Sequence, residues 1–218
     1  MALFAMAATP AAATTITIAS SDFDDGSQGW TRLAADPGIS WQSAGGNPGG
    51  YMRYDNNVPY GAGSTTSIYA PPAYLGNWSA LGVTDLSYEA NIFTTGSVAS
   101  IGDYTVVISG PGGAFRWLGP APNPSVSWLP LEATLVESAW AAMSGDWGAL
   151  LEDVTELRIE MAYYTNYTPF EITGIDNVRL NASAVPEPAC STLLGVGFAV
   201  LGLGGLLGRR RSRARRPG

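Results

Sequence analysis

The sequence predicts an all-β domain, and three observations carry that prediction. The first is composition: 27 Gly and 15 Pro punctuate a chain of 218 residues of which only 13% are charged, while 10 Tyr and 7 Trp supply bulky aromatics. Many turn formers and aromatics at low charge describe short strands joined by turns; a disordered chain carries few aromatics and more charge. The second is patterning. Thr14 to Ala19 (TTITIA) alternates strictly between polar and apolar, and Leu86 to Phe93 (LSYEANIF) and Tyr104 to Ser109 (YTVVIS) are rich in β-branched and aromatic residues. The third is size. The chain holds one ordinary domain plus terminal segments, and such a domain buries a core without disulfides.

The remaining elements follow from the same signals. Ile39 to Gln42, Tyr51 to Tyr54 and Thr65 to Tyr69 are short runs between Gly- and Pro-rich turns. Phe115 to Leu118 and Ser127 to Leu131 come after a Gly-Pro loop, and Leu157 to Tyr164 and Phe170 to Leu180 close the domain. One helix is expected around Trp140 to Val154: Trp147, Leu150, Leu151 and Val154 fall at helical spacing and Trp140 and Met143 are three apart, while Gly145 and Gly148 leave a helix confined to the second half as the alternative. No internal repeat and no long linker divides residues 14–184, which are read as one domain.

Charge is segregated. All 11 basic residues are Arg, and six of them, Arg209, Arg210, Arg211, Arg213, Arg215 and Arg216, crowd the C-terminus. The body is therefore strongly acidic, which argues against nucleic acid, since phosphate contacts need Lys and Arg. The chain has no His and a single Cys, Cys190. That excludes an internal disulfide, a Cys-based zinc site, a His metal site and a Ser-His-Asp triad; the lack of Lys excludes a Schiff base. Paired carboxylates remain for hydrolysis, with Glu89, Glu132, Glu160 and Glu171 as candidates. Acids that alternate with apolar residues, as in Leu157 to Met161, are the solvated face of a strand more often than a catalytic pair.

Residues 185–218 read as a sorting and anchoring segment. Val185, Pro186, Glu187 and Pro188 form a stiff linker that neither continues a helix nor sits in a central strand. Residues 190–208 run without a charge, about the length that crosses a ~30 Å hydrocarbon core. The Arg cluster at 209–216 follows at once and places the C-terminus on the cytoplasmic side. Linker, span and Arg cluster in this order resemble the PEP-CTERM sorting signal. The resemblance implies an exosortase as partner, a single-pass inner-membrane intermediate, and cleavage near Pro186-Glu187-Pro188 with delivery to the cell surface or extracellular matrix. It is associated with Gram-negative bacteria that make exopolysaccharide. At the other end, residues 1–13 are apolar and Ala-rich with a small-residue run at Ala11 to Ala13 but no preceding basic residue; they read either as a signal-peptide remnant or as an Ala-rich leader.

Within the body, Phe23 to Trp30 (FDDGSQGW), Tyr69 to Ser79 (YAPPAYLGNWS) with Leu86 to Tyr88, Leu150 to Ile159 (LLEDVTELRI) and Ile175 to Leu180 (IDNVRL) occur in the order of the laminin B, or laminin IV type A, domain. The chain resembles that family over residues 22–180. The resemblance implies a galactose-binding-like jelly-roll β-sandwich. The Cys-rich arrays that flank the animal domains have no counterpart here.

Two site expectations follow. Asp24 and Asp25 near the start and Asp176 near the end approach one another if first and last strands are neighbours, and with backbone carbonyls they offer the oxygen shell that Ca²⁺ takes; turn chemistry alone also explains Asp beside Gly. Trp117, Trp128, Tyr54 and Tyr60 lie in or beside loops and are the candidate sugar-stacking faces, against the core packing that accounts for most aromatics. The function expected is a non-catalytic, surface-sorted module that binds or organises extracellular polysaccharide. A purely structural envelope protein is the alternative, and a carboxylate-based glycan hydrolase the minor one.

Overall fold

A computed structural model of the chain describes residues 14–55, 66–94, 102–120, 125–163 and 171–184. Residues Thr15–Ser183 form one compact unit. The elements are β1 (Thr14–Ser21), β2 (Ile39–Gln42), β3 (Tyr51–Asp55), β4 (Ser67–Tyr69), α1 (Trp78–Leu81), β5 (Val83–Thr94), β6 (Thr105–Gly110), β7 (Gly113–Leu118), β8 (Ser125–Thr134), β9 (Trp140–Gly145), α2 (Trp147–Glu152), β10 (Glu156–Glu160) and β11 (Ile172–Ala184).

The strands form two sheets. A 6-stranded sheet runs β2-β3-β11-β5-β8, with β1 also paired to β11, and a 5-stranded sheet runs β4-β10-β6-β7-β9. First and last strands are thus neighbours, and Thr17 Oγ1 donates to Asn181 Oδ1 at 2.9 Å. The core lies between the sheets. Tyr54, Met52, Leu86, Tyr88, Ile175 and Leu180 point in from the first sheet and Ile68, Val106, Ile108, Leu157 and Ile159 from the second, all at most 4% exposed. Period-2 alternation makes this possible: each inward residue is flanked by outward ones.

Tyr74 and Trp30 pair their polar atoms within the core, whereas the buried Tyr88 hydroxyl has no partner. Tyr74 Oη lies 2.9 Å from the Val178 carbonyl and 3.0 Å from Ser21 Oγ, which also accepts from Trp30 Nε1. Burial pushes the Tyr74 hydroxyl up to about 12, against the pull of its Ser21 bond. Trp30 and Tyr74 meet edge to face at 5.2 Å.

Two corrections concern helices. The span from 140 to 154 is not one helix: its first half is the edge strand β9, paired with β7 from Trp117↔Trp140 to Gly113↔Gly145. Only Trp147–Glu152 is helical, capped by Asp146, whose Oδ1 accepts from Ala149 N at 2.9 Å. Gly145 takes φ +79°, and a Cβ there would lie 2.1 Å from the Gly112 carbonyl oxygen, so the backbone reverses at a glycine instead of continuing a helix. The second helix among the described residues, α1, is a single turn that periodicity does not reveal; Asn77 caps its start and Gly82, in the left-handed region, its end. Among the described residues, no helix is long and apolar enough to cross a membrane. The expected span at 190–208, the linker Val185 to Pro188 and the Arg cluster lie outside the described residues.

Candidate functional site

The outward face of the six-stranded sheet is where the polar and aromatic chemistry collects. On β3, Met52 and Tyr54 go inward, so Tyr51, Arg53 and Asp55 go outward. On β5, Leu86, Tyr88 and Ala90 go inward, leaving Ser87, Glu89 and Asn91 on the other side. Ladder partners share a face, and the register aligns Gly174 with Arg53 and Asn91, and Asp176 with Glu89.

Three rings gather on this face. Tyr51 of β3, Phe93 of β5 and Trp128 of β8 are 5.4, 5.6 and 5.7 Å apart, and Trp128 meets the other two edge to face. None of the three belongs to the core cluster. Irregularities in the ladders aim them: Phe93 is the extra residue where Ile172↔Thr94 steps to Thr173↔Ile92, and Trp128 lies in the stretch of β8 where Ala90↔Leu129 steps to Ile92↔Ser125. Gly174, on β11 between them, makes room. A Cβ there would lie 2.8 to 2.9 Å from the Trp128, Tyr51 and Phe93 rings. Burial raises the Tyr51 hydroxyl, and the Arg53 charge partly opposes that.

Beside this cluster is an acidic corner. Asp176 is fully buried; its Oδ2 accepts from Asn47 N at 2.5 Å and its Oδ1 from Asn177 N at 2.7 Å. Asn177 takes φ +50° at a bulge between Asp176 and Arg179, so two successive side chains meet the same corner. Asn47 Nδ2 and Asn177 Nδ2 both donate to Glu89 Oε2, at 2.9 and 3.0 Å. From the other side, Gly50 N donates to Asp24 Oδ1 at 3.3 Å. The tight turn at 46–50, with a cis Asn47–Pro48 bond, therefore touches Asp24, Asp176 and Glu89. It admits no side chain at Gly49, where φ is +86° and a Cβ would overlap Asp24 Oδ1. Burial, and after it the charges of Glu89 and Asp24, push the Asp176 carboxyl up to about 6, against the two backbone N–H bonds.

The sequence candidates thus separate. Asp24 and Asp176 approach the same turn, while Asp25 is exposed on the turn that follows Asp24. Glu89, weighed in the sequence only for hydrolysis, is the third acid of the corner; its place on the outward side of an alternating strand was the available signal. Among the described residues no three His, Cys, Asp or Glu side chains converge as a ready metal cage. Trp128 lies half-buried on the outward face. Two aromatic candidates are corrected. Tyr54 (2% exposed) and Trp117 (8%) belong to the core cluster, because alternation on β3 and β7 turns them inward, and neither has a face to offer a sugar. Tyr60 lies outside the described residues. The sequence reading missed Tyr51, Phe93, Asn91 and Gly174. Of the candidate glutamates, Glu89 and Glu132 stand on the six-stranded sheet and Glu160 on the other, while Glu171 is buried and accepts from Tyr163 N at 2.8 Å.

No protein-family model and no curated protein matches the chain. Solved structures do. An exo-β-agarase is similar over 79% of this chain and 25% of its own, at 13% identity and TM-score 0.51, which supports the β-sandwich fold. The L4b domain of human laminin α-2 is similar over 72% of this chain and 97% of its own, at 12% identity and TM-score 0.48. A family 11 carbohydrate-binding module from Clostridium thermocellum, in complex with a β-1,3-1,4-mixed-linked tetrasaccharide, is similar over 74% and 94% at 19% identity and TM-score 0.43.

Proposed function

We propose that the chain is a non-catalytic module that binds extracellular polysaccharide through the outward face of its six-stranded sheet. The observation that carries this reading is the Tyr51–Phe93–Trp128 cluster. These rings sit outside the core, on three strands, over a glycine that leaves them room. Burying aromatics in the core stabilises a fold; leaving Phe93 and Trp128 half-exposed on the far side of the sheet does not, and flat apolar faces flanked by hydrogen-bonding groups are what a sugar ring stacks on. The test is retention of the full chain on soluble and insoluble polysaccharides. Saturable retention supports the reading; a folded chain that none of them retains leaves a structural envelope role in its place.

Calcium is the second part of the proposal. Asp24 and Asp176, with Glu89 beside them, are hard oxygen donors around one turn. Burial first, and then the charges of Glu89 and Asp24, push the Asp176 carboxyl up, and a bound cation would offset the acid charge gathered there. Calcium should raise the melting temperature and a chelator lower it; equal melting in both conditions overturns this part alone.

Sorting is the third. The Val185 to Pro188 linker, the uncharged run at 190–208 and the Arg cluster support export, a transient membrane-anchored intermediate and processing by an exosortase. A mature protein whose intact mass still includes Arg209 to Arg216 overturns it.

A further inference from the structure

Stacking rings suit neutral and acidic sugars alike, and the groups around the Tyr51–Phe93–Trp128 cluster distinguish the two. The first is Asn91. It lies across the ladder from Gly174, on the same face, and is 2% exposed. Neither its Nδ2 nor its Oδ1 has a hydrogen-bond partner. Buried amides are nearly always paired, so an orphaned one beside an aromatic cluster marks a polar contact that a ligand supplies. A carboxamide offers a donor and an acceptor together, which matches adjacent sugar hydroxyls and, being neutral, adds no charge to balance a carboxylate.

The second is charge. The outward face carries Asp55, Asp85, Glu89, Glu132 and Asp176 against Arg53 and Arg179. Arg53, the cation next to Gly174, is already engaged: its Nη2 is 2.8 Å from Asp55 Oδ2. Arg179 stands further along β11. Among the described residues, an anionic polymer therefore meets a surface of its own sign with no free cation at the rings.

We propose that this face selects neutral hexose polymers over uronate polymers, and that Asn91 hydrogen-bonds the sugar stacked at the cluster. This rests on the glycan-binding reading above. Asn91 is 2% exposed, so its contact with a sugar requires a local side-chain rearrangement; Phe93 and Trp128 are the half-buried rings at this surface. The three rings are too close and too steeply inclined to one another to form a flat ladder, and they offer one stacking position.

The test is affinity electrophoresis of the full chain in gels with mixed-linkage β-glucan or agarose as neutral probes and alginate or polygalacturonate as acidic ones, at low and moderate salt. The expected result is retardation by a neutral polymer, little changed by salt, and none by the acidic polymers even at low salt. Asn91→Leu should weaken that retardation at least tenfold while its melting temperature holds or rises, because no hydrogen bond is lost. Retardation by alginate equal to or stronger than that by the neutral polymers, and lost in Trp128→Ala, overturns the selectivity and leaves the glycan reading standing. Wild-type retardation of a folded Asn91→Leu overturns the role of Asn91. The absence of retardation by any polymer overturns both readings. The wild-type comparison stands whether or not Asn91→Leu folds.

Discussion

The six-stranded sheet has two faces built from the same strands, and they obey different rules. Inward, Met52, Tyr54, Leu86, Ile175 and Leu180 are apolar or aromatic and closely packed. Outward, one residue along each strand, Asn91 is buried without a partner, Asp176 is held above its ordinary range, and two aromatic rings stay half in water. Each outward feature costs folding free energy: an unpaired buried amide costs about 1–3 kcal/mol. A face that accumulates such costs while its reverse avoids most of them is shaped by something other than stability. That contrast is the argument for a binding surface, and it can be broken in several places.

The largest effect is expected inside. Tyr54→Ala empties a core position and should lower the unfolding free energy by about 3–5 kcal/mol in urea titration. Tyr51→Ala, three residues away on the opposite face, should cost clearly less; equal losses would erase the distinction between the faces. Gly174→Ala comes next, since its methyl would press on the three outward rings; about 1–3 kcal/mol is expected, with polysaccharide retention falling further than stability.

The pH dependence is smaller. In chelator, the folded-state shift of Asp176 from 3.8 to about 6 favours the protonated native form. Its contribution is fully present below about pH 4 and is lost as the pH rises through about 6. After allowance for solvent screening the change is about 1 kcal/mol. It should appear as a falling urea midpoint from pH 4 to 7 in the wild type relative to Asp176→Asn; a difference that is flat, or rises with pH, contradicts the assignment. The smallest effect is at Tyr88, the inward residue whose buried hydroxyl has no partner. Tyr88→Phe should leave stability unchanged or raise it by up to about 1 kcal/mol, and a clear loss would reveal a bond at that hydroxyl.

Much of this architecture was legible in the sequence, because alternation is a local signal. The runs at Ile39 to Gln42 and Leu86 to Phe93 lie in strands, and the run that closes the domain does so from Ile172 to Leu180. β9 escaped because Trp140 and Met143 mimic helical spacing and its partner, β7, lies more than twenty residues back in the chain. The site was harder. Tyr51 and Tyr54 are the same residue type in the same short run, and only pairing with β11 decides which of them faces out. The approach of Asp24 to Asp176 followed from the expectation that first and last strands are neighbours. The entry of Glu89 did not, since it depends on the bulge at Asn177 and on the turn at 46–50 folding back over the sheet. Asn91 and Gly174 carry no motif; their significance appears only once three rings from three strands converge above them.

The most direct measurement is retention of Trp128→Ala on whichever neutral polysaccharide retains the wild type, with melting temperatures recorded alongside and Trp117→Ala as the inward control. The account predicts at least a tenfold loss of affinity for Trp128→Ala, about 1.4 kcal/mol, with little change in melting, and a marked loss of stability for Trp117→Ala. Wild-type retention by a folded Trp128→Ala would contradict the assignment of the outward face as the binding surface.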